Sequence, residues 1–487
     1  MMTFRTLCRE IVPVLEKEEF DFQITGVQSD SRRVESGNVF VAVRGFEADG
    51  HDYIDEAVRK GAAAVIAERV ENANQVPSVL VADSRKALAR LADRFFGEPS
   101  KGLRLIGVTG TNGKTTVTFL LESIFRHAGV ATGLLGTTLY RWERHEESAG
   151  RTTPDALDLH RYLGRMKEDG VHTVVMEVSS HALALHRVFG MTFRAAVFTN
   201  LTRDHLDFHA SLQDYGDTKA RLFGMLSSDG TGVINGDDAA SGLMRRASRG
   251  KSVLFGEKNA EVDYRIADIV IDINETTFSV VHEKRRMTFS TPLWGRFNVM
   301  NACAAVVVGL ELGLEEDVIR EGLRGVRNVR GRMEGFDSQR GYRIVVDYAH
   351  TPDALENVLA AAREFTRGRL IVVFGCGGDR DRGKRPEMGR IAASLADVAV
   401  VTSDNPRRED PQTIVTEILK GIASSKNVET IVDRREAIHR ALDAAREGDT
   451  VVIAGKGHET YQEVGTERFP FDDRIVAETY LRLKEGL

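Results

Sequence analysis

The sequence predicts an α/β protein of three domains in which parallel sheets are covered by helices. Three observations carry that prediction. The chain has 487 residues, enough for two to four domains with their own cores. Apolar strands alternate with helical patterns in two successive blocks, the grammar of a parallel sheet. The first of these two blocks opens on Leu105-Ile-Gly-Val-Thr-Gly-Thr-Asn-Gly-Lys-Thr-Thr116, an apolar strand entering a glycine-rich loop that begins a helix.

Taken in order, the first block (1–102) holds short strands at Val39–Val43, Ala64–Ala67 and Val79–Ala82. The second (103–330) opens with the glycine-rich loop and continues through strands at Thr173–Val178, Ala195–Thr199, Gly232–Asn235 and Val253–Phe255. The third (331–487) repeats the pattern at Arg343–Asp347, Leu370–Phe374, Val398–Thr402 and Thr450–Ala454. Its strands end in polar, glycine-bearing turns, which is where open α/β sheets hold ligands. No short-period repeat or low-complexity linker interrupts the chain.

The glycine-rich loop is a nucleoside-triphosphate site. Such a loop turns backbone N–H groups toward phosphate, and the helix that follows adds its dipole. Gly110, Thr111, Asn112 and Gly113 form the cradle; Lys114 reaches the terminal phosphates, and Thr115 or Thr116 is placed to ligate Mg²⁺. The spacing departs from the strict Walker form, with Val108 six residues before Lys114.

Composition narrows the class. A formal charge of −6 offers no basic footprint for nucleic acid. Cys8, Cys303 and Cys376 match no metal spacing or disulfide framework, which suits a reducing cytosol. The stretch Met1–Phe22 carries Arg5, Arg9, Glu10, Glu16, Lys17, Glu18 and Glu19 and lacks a signal-peptide core. The longest apolar run, Ala302–Leu310, is too short to span a bilayer. A cytoplasmic enzyme is expected.

Polar residues gather at strand ends. In the second block these are Glu177-Val-Ser-Ser-His181 and Asn200-Leu-Thr-Arg-Asp-His-Leu-Asp-Phe-His209, a carboxylate and histidines able to hold Mg²⁺ beside a triphosphate, although Mg²⁺ favours oxygen. Lys219, in Asp214–Phe223, reads by composition as a helix-surface lysine. In the third block the loops are Asp347–Asp353, Gly375–Pro386, Ser403–Arg408 and Gly455–Glu459. Together they mix cations with carboxylates, as an amino-acid or phosphate ligand requires.

In this order the motifs resemble the Mur ligases, ATP-dependent amide-forming enzymes of peptidoglycan synthesis, over nearly the whole chain. The family's Thr-Gly-Thr-Asn-Gly-Lys-Thr loop stands at Thr109–Thr115, which accounts for the altered spacing. The resemblance implies a UDP-substrate domain, a central phosphate-loop ATPase domain and a C-terminal Rossmann-like domain that binds an amino acid. Ser29-Asp-Ser-Arg32, with Ser31, and Gly45–His51 look like the UDP-binding block. Thr152, Thr153, Ser179 and Arg187 look like contacts to the UDP-linked dipeptide; Leu185 stands where some relatives are polar, and that contact is not carried over. Asp404-Asn-Pro-Arg407 matches the motif of members that use meso-diaminopimelate rather than lysine, with Arg380, Asn405, Gly455 and Glu459 completing that pocket. Also by resemblance, Asn298, Asn301, Arg332 and Asp347 reach the nucleotide. Glu177 and His205, with Thr115 and a carbamylated Lys219 (N6-carboxylysine), hold Mg²⁺; Lys114, Glu177, His205 and Lys219 form the catalytic set.

The implied reaction adds meso-diaminopimelate to the D-glutamate of UDP-N-acetylmuramoyl-L-alanyl-D-glutamate through an acyl phosphate, with ATP as co-substrate. A monomer without nucleic-acid or membrane partners is expected. Two other readings stand beside it. A folylpolyglutamate synthase shares the second and third blocks but leaves the UDP-type block and Asp404–Arg407 unexplained. A nucleotide-gated binding module leaves the metal set and amino-acid pocket unexplained.

Overall fold

A computed structural model describes residues 2–9, 21–46, 48–69, 76–272, 275–423 and 427–485. Of the positions read from sequence, Met1, Glu10, Glu16, Lys17, Glu18, Glu19 and Glu47 lie outside the described residues. The three blocks form three principal sheets. In the first, strands Gly26–Gln28, Asn38–Val41, Ala64–Ala67 and Ser78–Leu80 pair in sequence order, all parallel. Helix Ile54–Arg59 makes the crossover between the second and third strands, and Ser84–Phe95, after the fourth, packs against the sheet's core.

The central sheet has eleven strands and corrects one expectation. Its middle is parallel: Thr132–Leu135, Thr173–Glu177, Arg104–Thr109, Phe193–Phe198, Leu226–Asn235, Lys251–Gly256 and Tyr264–Ile271 lie side by side. Both flanks are antiparallel. Leu139–Trp142 and His145–Ser148 extend one edge; Thr276–His282 and Arg285–Thr291 extend the other. These ribbons are half-exposed, so they lack the continuous apolar runs that mark buried parallel strands. Tyr264–Ile271 instead alternates between buried and exposed positions over most of its length.

The phosphate-loop helix, Lys114–His127, buries Val117, Leu120, Leu121, Ile124 and Phe125 at helical spacing against one face of this sheet. Helix Arg296–Glu311 joins it there and is buried on nearly every side, which explains the apolar run at Ala302–Leu310. A second core, containing Leu159, Leu163, Met176 and Phe198, fills the other face. Among the described residues no helix is long and apolar enough to cross a membrane.

In the C-terminal sheet, strands Arg343–Asp347, Thr450–Ala454, Leu370–Phe374, Val398–Val401 and Val428–Thr430 run parallel in that spatial order, with Glu334–Asp337 antiparallel at one edge. Because the strands are parallel, the loops that follow Asp347, Phe374, Val401 and Ala454 leave from the same end. This is the physical reason four sequence-distant polar loops share one pocket.

Behind those loops lies a fully buried ion pair. Arg434 opens helix Arg434–Ala444, and its Nε and Nη2 donate to Asp473 Oδ1 and Oδ2 at 2.8 and 2.7 Å. Its remaining donors go to the carbonyls of Ser403 and Ala454, the residues just before Asp404 and Gly455. Asp473→Ala would strand a buried guanidinium, a loss of about 3–5 kcal/mol. The expected result is an earlier urea midpoint for the C-terminal domain; an unchanged midpoint would show that the pair contributes nothing.

Candidate active site

The phosphate loop is shaped by its neighbours. Gly110 has φ +148°, and a Cβ there would sit 1.8 Å from Thr199 Oγ1, so the position admits only glycine. The N–H groups of Thr111 and Asn112 donate to the carbonyl and Oδ1 of Asn200, both at 2.9 Å. These two residues therefore set the loop's form. The first-turn amides of Lys114, Thr115 and Thr116, which have no intrahelical acceptor, are the donors available to phosphate. Lys114 Nζ donates to the carbonyls of Gly110 and Thr111 at 3.0 and 2.8 Å, lying back along the cradle. Burial pushes its ammonium below the usual lysine range; the Glu177 charge opposes that and the Arg332 charge adds to it.

Lys219 is no surface lysine. Its side chain is 1% exposed, and Nζ donates to the same Gly110 carbonyl at 2.8 Å, 4.2 Å above the Tyr215 ring. Burial, and then the nearby Lys114 charge, push its pKa well below the ordinary value. The composition-based reading is overturned because helix Leu212–Ala220 turns Lys219 inward, under the phosphate loop.

Glu177, ending its strand, accepts from Thr137 N–H at 2.7 Å and Thr137 Oγ1 at 2.8 Å. His205 follows Asp204, whose Oδ2 is 3.3 Å from His205 Nε2. Burial lowers the His205 pKa to about 3 against the pull of Asp204, so the ring is neutral and competent as a ligand. Thr115 Oγ1 accepts from Arg332 Nη2 at 3.2 Å. Among the described residues no three His, Cys, Asp or Glu side chains converge as a metal site. The expected Mg²⁺ set fits a hard cation on one condition: Lys219 must bring oxygen in place of an amine. Its buried, deprotonation-prone nitrogen is suited to that conversion.

The central and C-terminal domains meet over the loop. Asn112 Nδ2 donates to Asp353 Oδ2 at 2.8 Å, and Arg203 pairs with Asp381 at 2.9 Å. A cleft of about 150 Å³ between the domains is lined by Gly113, Thr116, Asn301, Arg332 and Asp347. Asp347 accepts from the N–H groups of Met333 and Ala349, and burial raises its pKa to about 6. Arg332 stacks 4.7 Å over Tyr348. Asn298 stands behind this cleft: it is buried, donates to the Trp294 carbonyl and accepts from Asn301 Nδ2. It supports Asn301, which lines the cleft.

The expected dipeptide residues cluster with one exception. Thr153 Oγ1 donates to the Glu177 carbonyl at 2.8 Å and accepts from Ser179 N–H at 3.1 Å. Arg187 Nη1 donates to the Thr153 carbonyl at 2.8 Å, and Thr152 Oγ1 donates to Thr137 Oγ1 at 3.1 Å, since the Thr137 proton is given to Glu177. Ser31 stands apart in the N-terminal domain, donating to Glu56 Oε2 at 3.1 Å.

The four C-terminal loops come together at one end of their sheet. Gly455 has φ +119°, and a Cβ there would lie 2.4 Å from Asp404 Oδ2; glycine lets the two loops touch. Arg407 Nη1 donates to the Gly378 carbonyl at 2.7 Å and Nε to Glu463 Oε2 at 3.2 Å. Arg380 is close by, its Nη1 on its neighbour's Asp379 carbonyl. Asn405 Nδ2 donates to Glu459 Oε2 at 2.8 Å. A larger cleft of about 980 Å³ runs from Thr137 and Thr152 to Glu459 and Tyr461.

Several contributors escaped the sequence reading. Thr137 ties Glu177 to Thr152 but sits in an ordinary-looking stretch. Asn200 and Lys456 lie inside motifs that were noticed, yet their partners are far away in sequence. Arg434 and Glu463 carry no local signal at all.

Sequence profiles of three domains match this chain: the Mur ligase family catalytic domain over residues 23–96, the Mur ligase middle domain over 108–309, and the Mur ligase glutamate ligase domain over 331–457. The UDP-N-acetylmuramoyl-L-alanyl-D-glutamate--2,6-diaminopimelate ligase of Bacillus licheniformis is 44% identical over 463 residues, 94% of each chain. That of Geobacillus kaustophilus is 45% identical over 462 residues, 93% of this chain and 94% of the relative. A solved structure of a ligase with the same name superposes with a TM-score of 0.70 at 35% identity, covering 99% of both chains.

Proposed function

We propose, from the premise that this chain belongs to the Mur ligase family, that it joins meso-diaminopimelate to the D-glutamate of UDP-N-acetylmuramoyl-L-alanyl-D-glutamate with conversion of ATP to ADP, a step of peptidoglycan synthesis. One observation carries the reading. Two carboxylates, Asp404 and Glu459, and the Arg407 guanidinium share a pocket on the domain that docks over the phosphate loop. A ligand with an ammonium and a carboxylate at one end complements that set.

The D-glutamyl carboxylate attacks the γ-phosphate of ATP, giving an acyl phosphate and ADP; the diaminopimelate amine then attacks the acyl carbon and phosphate leaves. Lys114 and the first-turn amides orient the triphosphate and neutralise charge that grows during transfer. The Thr153–Ser179–Arg187 network aligns the dipeptide beside Glu177. Asn112–Asp353 and Arg332–Thr115 hold the domains together and keep water from the acyl phosphate. Mg²⁺ would be held by Thr115, Glu177, His205 and carbamylated Lys219, and when bound it supplies positive charge to the phosphate oxygens. We take the enzyme to act in the cytoplasm as a monomer; its three buried, free cysteines suit a reducing compartment.

The test is ADP release over a panel of amino acids, with and without the UDP-linked dipeptide. Release should require both the dipeptide and diaminopimelate. Release without the dipeptide, or a preference for glutamate, overturns the reading.

Arg407 decides between diaminopimelate and lysine, which lacks the second carboxylate. The sequence alone suggests that lysine would leave this guanidinium unpaired. The structure corrects that, since Glu463 and the Gly378 carbonyl already hold it and it is 19% exposed. What lysine forgoes is a charge-assisted pairing, about 2 kcal/mol or roughly 30-fold. Arg407→Ala should lower kcat/KM for diaminopimelate by about that factor and leave lysine nearly unchanged. A mutant that keeps the wild-type ratio removes the diaminopimelate assignment and leaves the ligase assignment standing.

A further inference from the structure

Lys456 makes no contact assigned to a substrate above, yet it is 0% exposed. Its Nζ donates to Asn405 Oδ1 at 3.0 Å and to Glu459 Oε2 at 2.9 Å. Asn405 closes the ring by donating Nδ2 to the same Glu459 oxygen, while Glu463 N–H donates to Asn405 Oδ1 at 3.0 Å. This ring ties the loop after Thr450–Ala454 to the loop after Val398–Val401. It also fixes the amide orientation of Asn405, since Oδ1 faces two donors and Nδ2 faces a carboxylate.

We propose that Lys456 is a positioning residue for the amino end of diaminopimelate, holding the Glu459 carboxylate in one orientation and keeping it an anion for the incoming ammonium. The inference rests on the ligase reading above. Without the Lys456 ammonium, Glu459 would face Asp404 with Arg434, already paired to Asp473, as the buried cation left, and two neighbouring carboxylates resist ionising together. The groups facing Glu459 are Lys456 on its own loop, Asp404 and Asn405 across the pocket, Tyr348 from the loop after Arg343–Asp347, Tyr461 from the following hairpin, and Arg434 from behind. Burial raises the Glu459 carboxyl above its ordinary range, Lys456 opposes the rise, and Asp404 adds to it. Removing Lys456 therefore takes away the charge that opposes the rise and moves Glu459 toward its protonated form, and raising the pH restores the anion.

The experiment is full steady-state kinetics of wild type and Lys456→Met between pH 6.5 and 8.5, with melting temperature as a folding check. The variant should raise KM for diaminopimelate about 30-fold at pH 6.5, and the defect should shrink several-fold by pH 8.5. KM for ATP and for the UDP-linked dipeptide, and kcat, should stay within about threefold of wild type. An unchanged diaminopimelate KM, a rise equal at both pH values, or a parallel shift of all three KM values overturns the role of Lys456. If Lys456→Met does not fold, Asn405→Ala carries the test: it leaves the Lys456–Glu459 pair intact, so diaminopimelate KM should rise about tenfold without pH dependence, and an unchanged KM overturns the ring. A wild-type enzyme indifferent to diaminopimelate overturns the ligase reading itself, a result separable from every outcome in the variants.

Discussion

Lys114→Ala is expected to lower turnover by about 10³-fold or more while changing ATP affinity far less. Its ammonium is the cation inside the phosphate loop, anchored on the Gly110 and Thr111 carbonyls. That preorganisation places charge where the transferring phosphoryl group develops it, so the loss falls on kcat. Loop collapse is not the expected cause, because Lys219 still donates to Gly110, and Asn200 still holds Thr111 and Asn112. Single-turnover phosphoryl transfer, read beside nucleotide binding, separates the two effects. A folded mutant with near-normal turnover removes the phosphate-loop assignment.

Lys219→Ala should be nearly inactive, with partial recovery in a small carboxylate such as acetate. The amine is fully enclosed, and burial together with Lys114 lowers its pKa well below the usual value. A neutral amine can add to CO₂ and release a proton, and the carbamate formed would replace a repelling cation with an oxygen ligand facing the loop. A lysine serving only to brace Gly110 would behave differently: its alanine variant would lose stability, and acetate would not restore turnover. Wild-type turnover in the variant would remove Lys219 from the catalytic set.

The two predictions differ in how far the sequence supports them. Lys114 is legible because strand, glycines, lysine and helix are contiguous, and a phosphate loop needs little else. Lys219 is legible only through family resemblance; its composition and helical setting point to the surface, and packing under Gly110 reverses that. The same division runs through the fold. Continuous apolar runs mark the parallel strands of the central and C-terminal sheets, while the half-exposed strands Leu139–Trp142, His145–Ser148, Thr276–His282 and Arg285–Thr291 leave too weak a pattern. Polar loops at strand ends were visible, but not which of their side chains satisfy one another. The resemblance makes Asn298 a nucleotide contact, and the structure adds its hydrogen bond from Asn301.

By itself the sequence determined the α/β class, the three-block order, the phosphate loop and the family whose chemistry these motifs serve. Each of these is written in contiguous residues, where strand period, helix period and turn chemistry act over a few positions. Only the tertiary structure decided that Lys114 and Lys219 converge on one carbonyl and that Glu463 already occupies Arg407. It alone joined Lys456 to Asn405 and Glu459, and Arg434 to Asp473. All but the Lys456–Glu459 and Lys114–Gly110 contacts span tens of residues. They arise when parallel strands deliver their loops to one end and burial obliges every polar group there to find a partner.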